Sequence, residues 1–145
     1  MHEERKEVEI LANVKKCFET ICDFESYPTW QKTIKEVNIL DKENGRPVIV
    51  EYTLDAVLKT IQYTLHYTYK EDDPKKLFLG WTYVGGDLKN IEGSYTFTEI
   101  TPQKTLATYA LELELGISVP GFILKKFKEN AMEDSIMSLK KRAEK

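Results

Sequence analysis

Apolar and polar positions change their period several times along the chain. From Glu4 to Leu11, Val8 and Ile10 alternate with Glu7 and Glu9, the two-residue period of a strand with one wet face. Asn13 then offers a helix N-cap. Behind it Val14, Phe18 and Ile21 recur at three- and four-residue spacing with Cys17 beside them, which predicts a short amphipathic helix ending near Cys22. Asp23 reads as a second cap, opening a helical turn within Phe24 to Trp30 that Pro28 interrupts. From Ile34 the period returns to two. Asn44-Gly45 is a type I′ hairpin signal, because both central residues of that turn need positive φ. Further breaks fall at Leu58 to Thr60, Glu71 to Lys75, Gly85 to Asp87 and Thr101 to Lys104, so six strands are expected at 34–42, 46–57, 61–71, 76–84, 88–100 and 104–116. A last segment opens at Pro120 and has no Pro or Gly after Gly121. On a helical wheel Leu124, Phe127, Ala131, Met132, Ser135, Ser138 and Leu139 share one face. The centre line of that face is small, Ala131, Ser135 and Ser138, which predicts a void between helix and sheet.

This order of elements is an α+β plan, with two short helices between strands 1 and 2 and a seven-stranded antiparallel sheet followed by a long C-terminal helix. Long consecutive strands must twist and curl, so the sheet is expected to wrap around the helix and enclose space. At 145 residues the chain is expected to form a single domain, 1–145. A net charge of −3 argues against a nucleic-acid partner. The charged start, Met-His-Glu-Glu-Arg-Lys-Glu, carries no apolar signal core, and the expected location is cytoplasmic. Cys17 and Cys22 lie five apart on the first helix, where their side chains diverge, so no disulfide is expected.

Aromatic residues carry the chemical signal: 8 Tyr, 6 Phe and 2 Trp. Tyr63, Tyr67 and Tyr69 alternate on one strand, Trp81 and Tyr83 on the next, Tyr95 and Phe97 on another, and Tyr109 with Leu111 and Leu113 on the last. Alternation on adjacent strands puts these residues in cross-strand register as an aromatic wall. The expected ligand-binding residues are therefore Tyr63, Tyr67, Tyr69, Trp81, Tyr83, Tyr95, Tyr109 and Leu111 on the sheet, with Leu124, Phe127, Ala131 and Ser135 on the helix. No catalytic set, metal set or cofactor is expected. His66, the one histidine within a strand, falls on the outward face. Asp55 and Glu92 each interrupt an uncharged strand stretch and are the carboxylates that would reach a cavity. Glu112 and Glu114 fall on a solvated face.

The runs Asp23-Phe24-Glu25-Ser26-Tyr27-Pro28-Thr29-Trp30, Asn44-Gly45-Arg46-Pro47-Val48, Tyr63-Thr64-Leu65-His66-Tyr67, Gly93-Ser94-Tyr95 and Val119-Pro120-Gly121-Phe122 span nearly the whole chain. Together they resemble the polyketide cyclase/dehydrase and coenzyme Q-binding branch of the START/Bet v 1-like (SRPBCC) superfamily. That resemblance implies a helix-grip fold and a hydrophobic small-molecule ligand such as a lipid, an isoprenoid quinone or a polyketide, held as a carrier or sensor would hold it. Two other readings follow from it: a polyketide aromatase/cyclase, and a ribosome- or protein-interacting module. Arg46 and Arg142 are the only arginines beyond the N-terminal tail, which weighs against the enzyme. Transient membrane contact, and a monomer or weak homodimer, complete the expectations.

Overall fold

Seven strands form one antiparallel sheet: β1 (Glu4–Ile10), β2 (Ile34–Glu43), β3 (Arg46–Asp55), β4 (Thr60–Asp73), β5 (Lys76–Gly86), β6 (Asn90–Thr101) and β7 (Lys104–Glu114). Helix α1 (Val14–Cys22) and a 3-10 turn (Phe24–Thr29) separate β1 from β2, and helix α2 (Gly121–Ala143) follows β7. The computed structural model describes residues 3–55, 60–116 and 120–145. His2, Val119 and most of the break expected at 58–60 lie outside the described residues. The strand order is β1-β7-β6-β5-β4-β3-β2, a meander from β2 to β7 with β1 added beside β7.

Local chemistry accounts for most boundaries. The Asn13 side chain accepts from Lys16 N–H at 2.7 Å, a cap of the kind that contributes about 1 kcal/mol. Asp23 differs from expectation: its side chain caps nothing, and the Ser26 hydroxyl instead donates to the Asp23 carbonyl. Asn44 and Gly45 take φ of 51° and 78°, as the type I′ turn requires. Register shifts between β2 and β3, β4 and β5, and β6 and β7 mark bulges, which bend the strands and add to the sheet's curl.

Helix α2 packs against β1, α1 and β7, so it lies toward one edge of the sheet. Its buried stripe is Lys128, Met132, Ile136, Leu139 and Ala143. The face expected from the wheel therefore divides. Met132 and Leu139 go into the core, joined by Ile136, which the wheel reading passed over, while Ala131 and Phe127 stay exposed. Packing toward β1 rotates the helix, and the small residues are left facing the middle of the sheet. One hydrophobic cluster runs from Ile10 through α1, the inner sheet face and α2 to Ala143. Cys17 and Cys22 are free, buried thiols within it.

Candidate ligand-binding cavity

Inward positions of the strands supply the walls. On β3 these are Val50, Tyr52 and Leu54, on β4 Tyr63, Leu65 and Tyr67, and on β5 Leu79 and Trp81. The register places Tyr67 opposite Trp81, Trp81 opposite Gly93, Gly93 opposite Leu111, and Tyr95 opposite Tyr109. Gly93 is what lets the indole sit there. A Cβ on it would come within 2.2 Å of the Ala110 carbonyl oxygen and 3.0 Å of Trp81 Cζ2.

These residues and α2 enclose a cavity of about 370 Å³, within the range of small-molecule sites. Tyr27 and Ile21 close one end, Gln31 to Ile34 form part of the mouth, and Phe127, Ala131, Ser135 and Ser138 form the roof. The aromatic rings are in contact along the wall. Centroid separations are 6.2 Å for Tyr27 and Tyr52, 5.6 Å for Tyr52 and Tyr63, 6.1 Å for Tyr67 and Trp81, 5.9 Å for Trp81 and Tyr109, and 4.4 Å for the stacked pair Tyr95 and Tyr109. Polar groups are few. The hydroxyls of Tyr52 and Tyr67 lie 2.6 Å apart, that of Tyr95 lies 2.9 Å from Ser135 Oγ, and that of Tyr27 donates to the Ile21 carbonyl. Burial raises the pKa of Tyr27, Tyr52, Tyr63, Tyr67, Tyr95 and Tyr109 above the ordinary value, so all remain neutral phenols. Trp81 Nε1 is buried with no hydrogen-bond partner among the described residues. The charged lining residues are Lys32, Asp55 and Asp134, all exposed at the mouth.

A family model for polyketide cyclase / dehydrase and lipid transport matches residues 10–140. The chain belongs to this family. No curated protein matches it. Among solved structures it is similar to a START superfamily protein from Mycobacterium smegmatis, with a TM-score of 0.89 and 25% identity over 99% of this chain and 98% of that one. It is also similar to the Zhui aromatase/cyclase from Streptomyces sp. R1128, with a TM-score of 0.83 and 12% identity over 99% and 93%. A third is a STAR-related lipid transfer protein from Xanthomonas axonopodis, with a TM-score of 0.82 and 13% identity over 99% and 86%. The likeness to the last two is one of fold.

In this member of the polyketide cyclase/dehydrase and lipid transport family, nine of the twelve residues picked from the sequence line the cavity: Tyr63, Tyr67, Trp81, Tyr95, Tyr109, Leu111, Phe127, Ala131 and Ser135. Tyr69, Tyr83 and Leu124 do not. Tyr69 lies one inward position beyond Tyr67, against α1. Its ring meets Phe18 edge-on at 6.4 Å and Arg46 at 5.6 Å, and its hydroxyl donates to the Pro47 carbonyl. Arg46 itself leaves the expected hairpin surface and is half-buried, bonded to Glu71 at 2.7 Å and Glu19 at 2.6 Å. Tyr83 fastens the β5–β6 turn, donating to Leu88 O at 2.6 Å and accepting from Leu88 N–H at 3.1 Å. Leu124 is half-buried on α2 away from the cavity.

Glu92 also differs from expectation. It faces outward between Ile91 and Gly93, opposite Glu112, and hydrogen bonding between the two carboxyls raises the Glu112 pKa. Asp55 reaches the rim only. Tyr52 and Tyr27 were missed. Tyr52 continues the alternation Val48, Val50, Tyr52, which carried the signal; Tyr27 sits in a 3-10 turn, where no period marks an inward face. Among the described residues no group of three or more His, Cys, Asp or Glu is arranged to hold a metal ion, and no helix is long and apolar enough to cross a membrane.

Proposed function

We propose that this protein is a carrier or sensor that holds one hydrophobic small molecule, of the lipid, isoprenoid-quinone or polyketide kind, between the sheet and α2, and that it works in the cytoplasm. The observation that carries this reading is the cavity of about 370 Å³, walled by apolar and aromatic side chains and roofed by small residues of α2. The expected contacts are Tyr63, Tyr67, Trp81, Tyr95, Tyr109, Leu111, Phe127, Ala131 and Ser135, with Tyr27 and Tyr52 added. The family supports the class of ligand. Native mass spectrometry of protein purified without detergent, followed by organic extraction, tests it. One apolar molecule per chain is expected; a protein recovered empty that also takes up no apolar compound would contradict it.

The aromatase/cyclase reading has less support. Neither His nor Arg is among the described residues lining the cavity, and its tyrosines are held neutral by burial, which suits donating hydrogen bonds better than moving protons. A cyclisation assay on a model poly-β-ketone separates the two readings, with no turnover above buffer expected.

Loading is proposed to occur at a membrane surface. Phe122, Ile123 and Phe127 on the first turns of α2 are 76%, 47% and 47% exposed, and Phe127 also lines the cavity. Lys125 and Lys126 stand beside them, which favours a bilayer containing anionic lipid. Phe122→Ser is expected to lower co-sedimentation with phosphatidylserine-containing vesicles several-fold; unchanged binding, or none by the parent protein, would remove this step.

A further inference from the structure

The Tyr52/Tyr67 pair leaves one hydrogen-bond donor unspent on one wall of the cavity. The hydroxyls of Tyr52 and Tyr67, 2.6 Å apart, hold two protons, and their mutual bond uses one. Neither hydroxyl has another partner among the described residues, so one O–H is unspent whichever tyrosine is the donor. The Trp81 ring lies next along the wall, 6.1 Å from that of Tyr67. Its residue is only 9% exposed, and its N–H, shut away from the cavity and without a partner among the described residues, does not present a donor to a ligand. Leaving the spare tyrosine proton unpaired in an apolar cavity is costly, and an acceptor arriving with a ligand would recover that cost. The Tyr95 hydroxyl is a weaker candidate, because Ser135 can return its own proton to a carbonyl one turn back on α2.

Both carbonyl and carboxylate oxygens accept hydrogen bonds, but they differ in what they need besides. A buried carboxylate needs a cation, and Lys32, the basic residue among the described residues lining the cavity, is exposed at the mouth. Building on the carrier reading above, we infer that the ligand's buried end carries an uncharged acceptor oxygen of the ketone, quinone or ester kind, received by the Tyr52/Tyr67 pair. The charged or polar part of such a ligand, where it has one, stays at the mouth beside Lys32, Asp55 and Asp134.

The test compares 9-fluorenone, fluorene and fluorene-9-carboxylate, which share a ring frame and differ in the oxygen, by displacement of N-phenyl-1-naphthylamine from delipidated full-length protein. Fluorenone is expected to bind about ten-fold tighter than fluorene, as one buried hydrogen bond would give, with the carboxylate weakest. Either single variant, Tyr52→Phe or Tyr67→Phe, keeps one free hydroxyl proton and is expected to keep most of that preference. The double variant removes both hydroxyls without leaving one stranded, and is expected to fold and to bind fluorenone and fluorene alike. Equal binding of fluorene and fluorenone by the parent protein would overturn the inference and leave the cavity a hydrophobic site, as would a preference for the carboxylate. Binding of none of the three would overturn the carrier reading itself.

Discussion

Gly93 shows how much of the site depends on one missing side chain. Trp81 and Leu111 flank it on the neighbouring strands, and a Cβ would meet the Ala110 carbonyl oxygen at 2.2 Å, a backbone atom that cannot swing aside. Gly93→Ala is therefore expected to push β6 from β7 and to displace the indole, costing roughly 1–3 kcal/mol. A urea melt checks the stability, and a red shift and loss of intensity in tryptophan fluorescence checks the ring. A variant as stable as the parent, with the same emission, would show that the strands tolerate the contact. Residue identity thus decides what the register alone leaves open. Sequence alternation marks Tyr67 and Tyr69 as sharing a face, and they do, but it does not reveal where α1 crosses that face. Tyr67 lies on the cavity side of α1 and Tyr69 packs beneath α1 with Phe18 and Arg46.

The elements themselves were legible because each rests on a local cause. Seven strands and two principal helices follow from period two, period 3.6 and turn residues, and the observed ends differ from the expected ones by a few residues. The facing of α2 was not legible, because a wheel ranks faces by hydrophobicity and takes no account of which neighbour the helix meets. Its docking against β1 and α1 sets that rotation, and Glu144 holds the docked end. The Glu144 carboxylate accepts from Leu11 N–H at 2.8 Å and from Lys140, and the first of these contributes most to holding its pKa below the ordinary value of 4.5. A carboxylate depressed in the fold stabilises at pH values above its unfolded value, and that contribution is lost as pH falls through the lower, folded value. Glu144→Gln is thus expected to lower the melting temperature by a few degrees at pH 7 and by less at pH 3. An equal deficit at both pH values would mean that packing, rather than charge, fastens the helix.

On the scale of the whole molecule, the curved sheet and the off-centre helix leave a space that the side chains do not fill. Natural cores pack tightly, so a lined void of about 370 Å³ is the feature that most needs a use. The roof offers a way to remove it without touching the sheet: Ala131 and Ser138 face the space from a helix whose buried stripe, Met132, Ile136 and Leu139, lies elsewhere. Filling a void with apolar atoms leaves a fold as stable or more so, provided the new atoms fit in ordinary rotamers. The decisive measurement is a fluorescence titration of delipidated protein with N-phenyl-1-naphthylamine, run on the parent and on Ala131→Leu/Ser138→Leu. The parent is expected to bind one probe per chain saturably, and the double variant to melt at or above the parent temperature while binding at least ten-fold more weakly. Saturable binding of equal strength by both proteins, or none by the parent, would contradict the account.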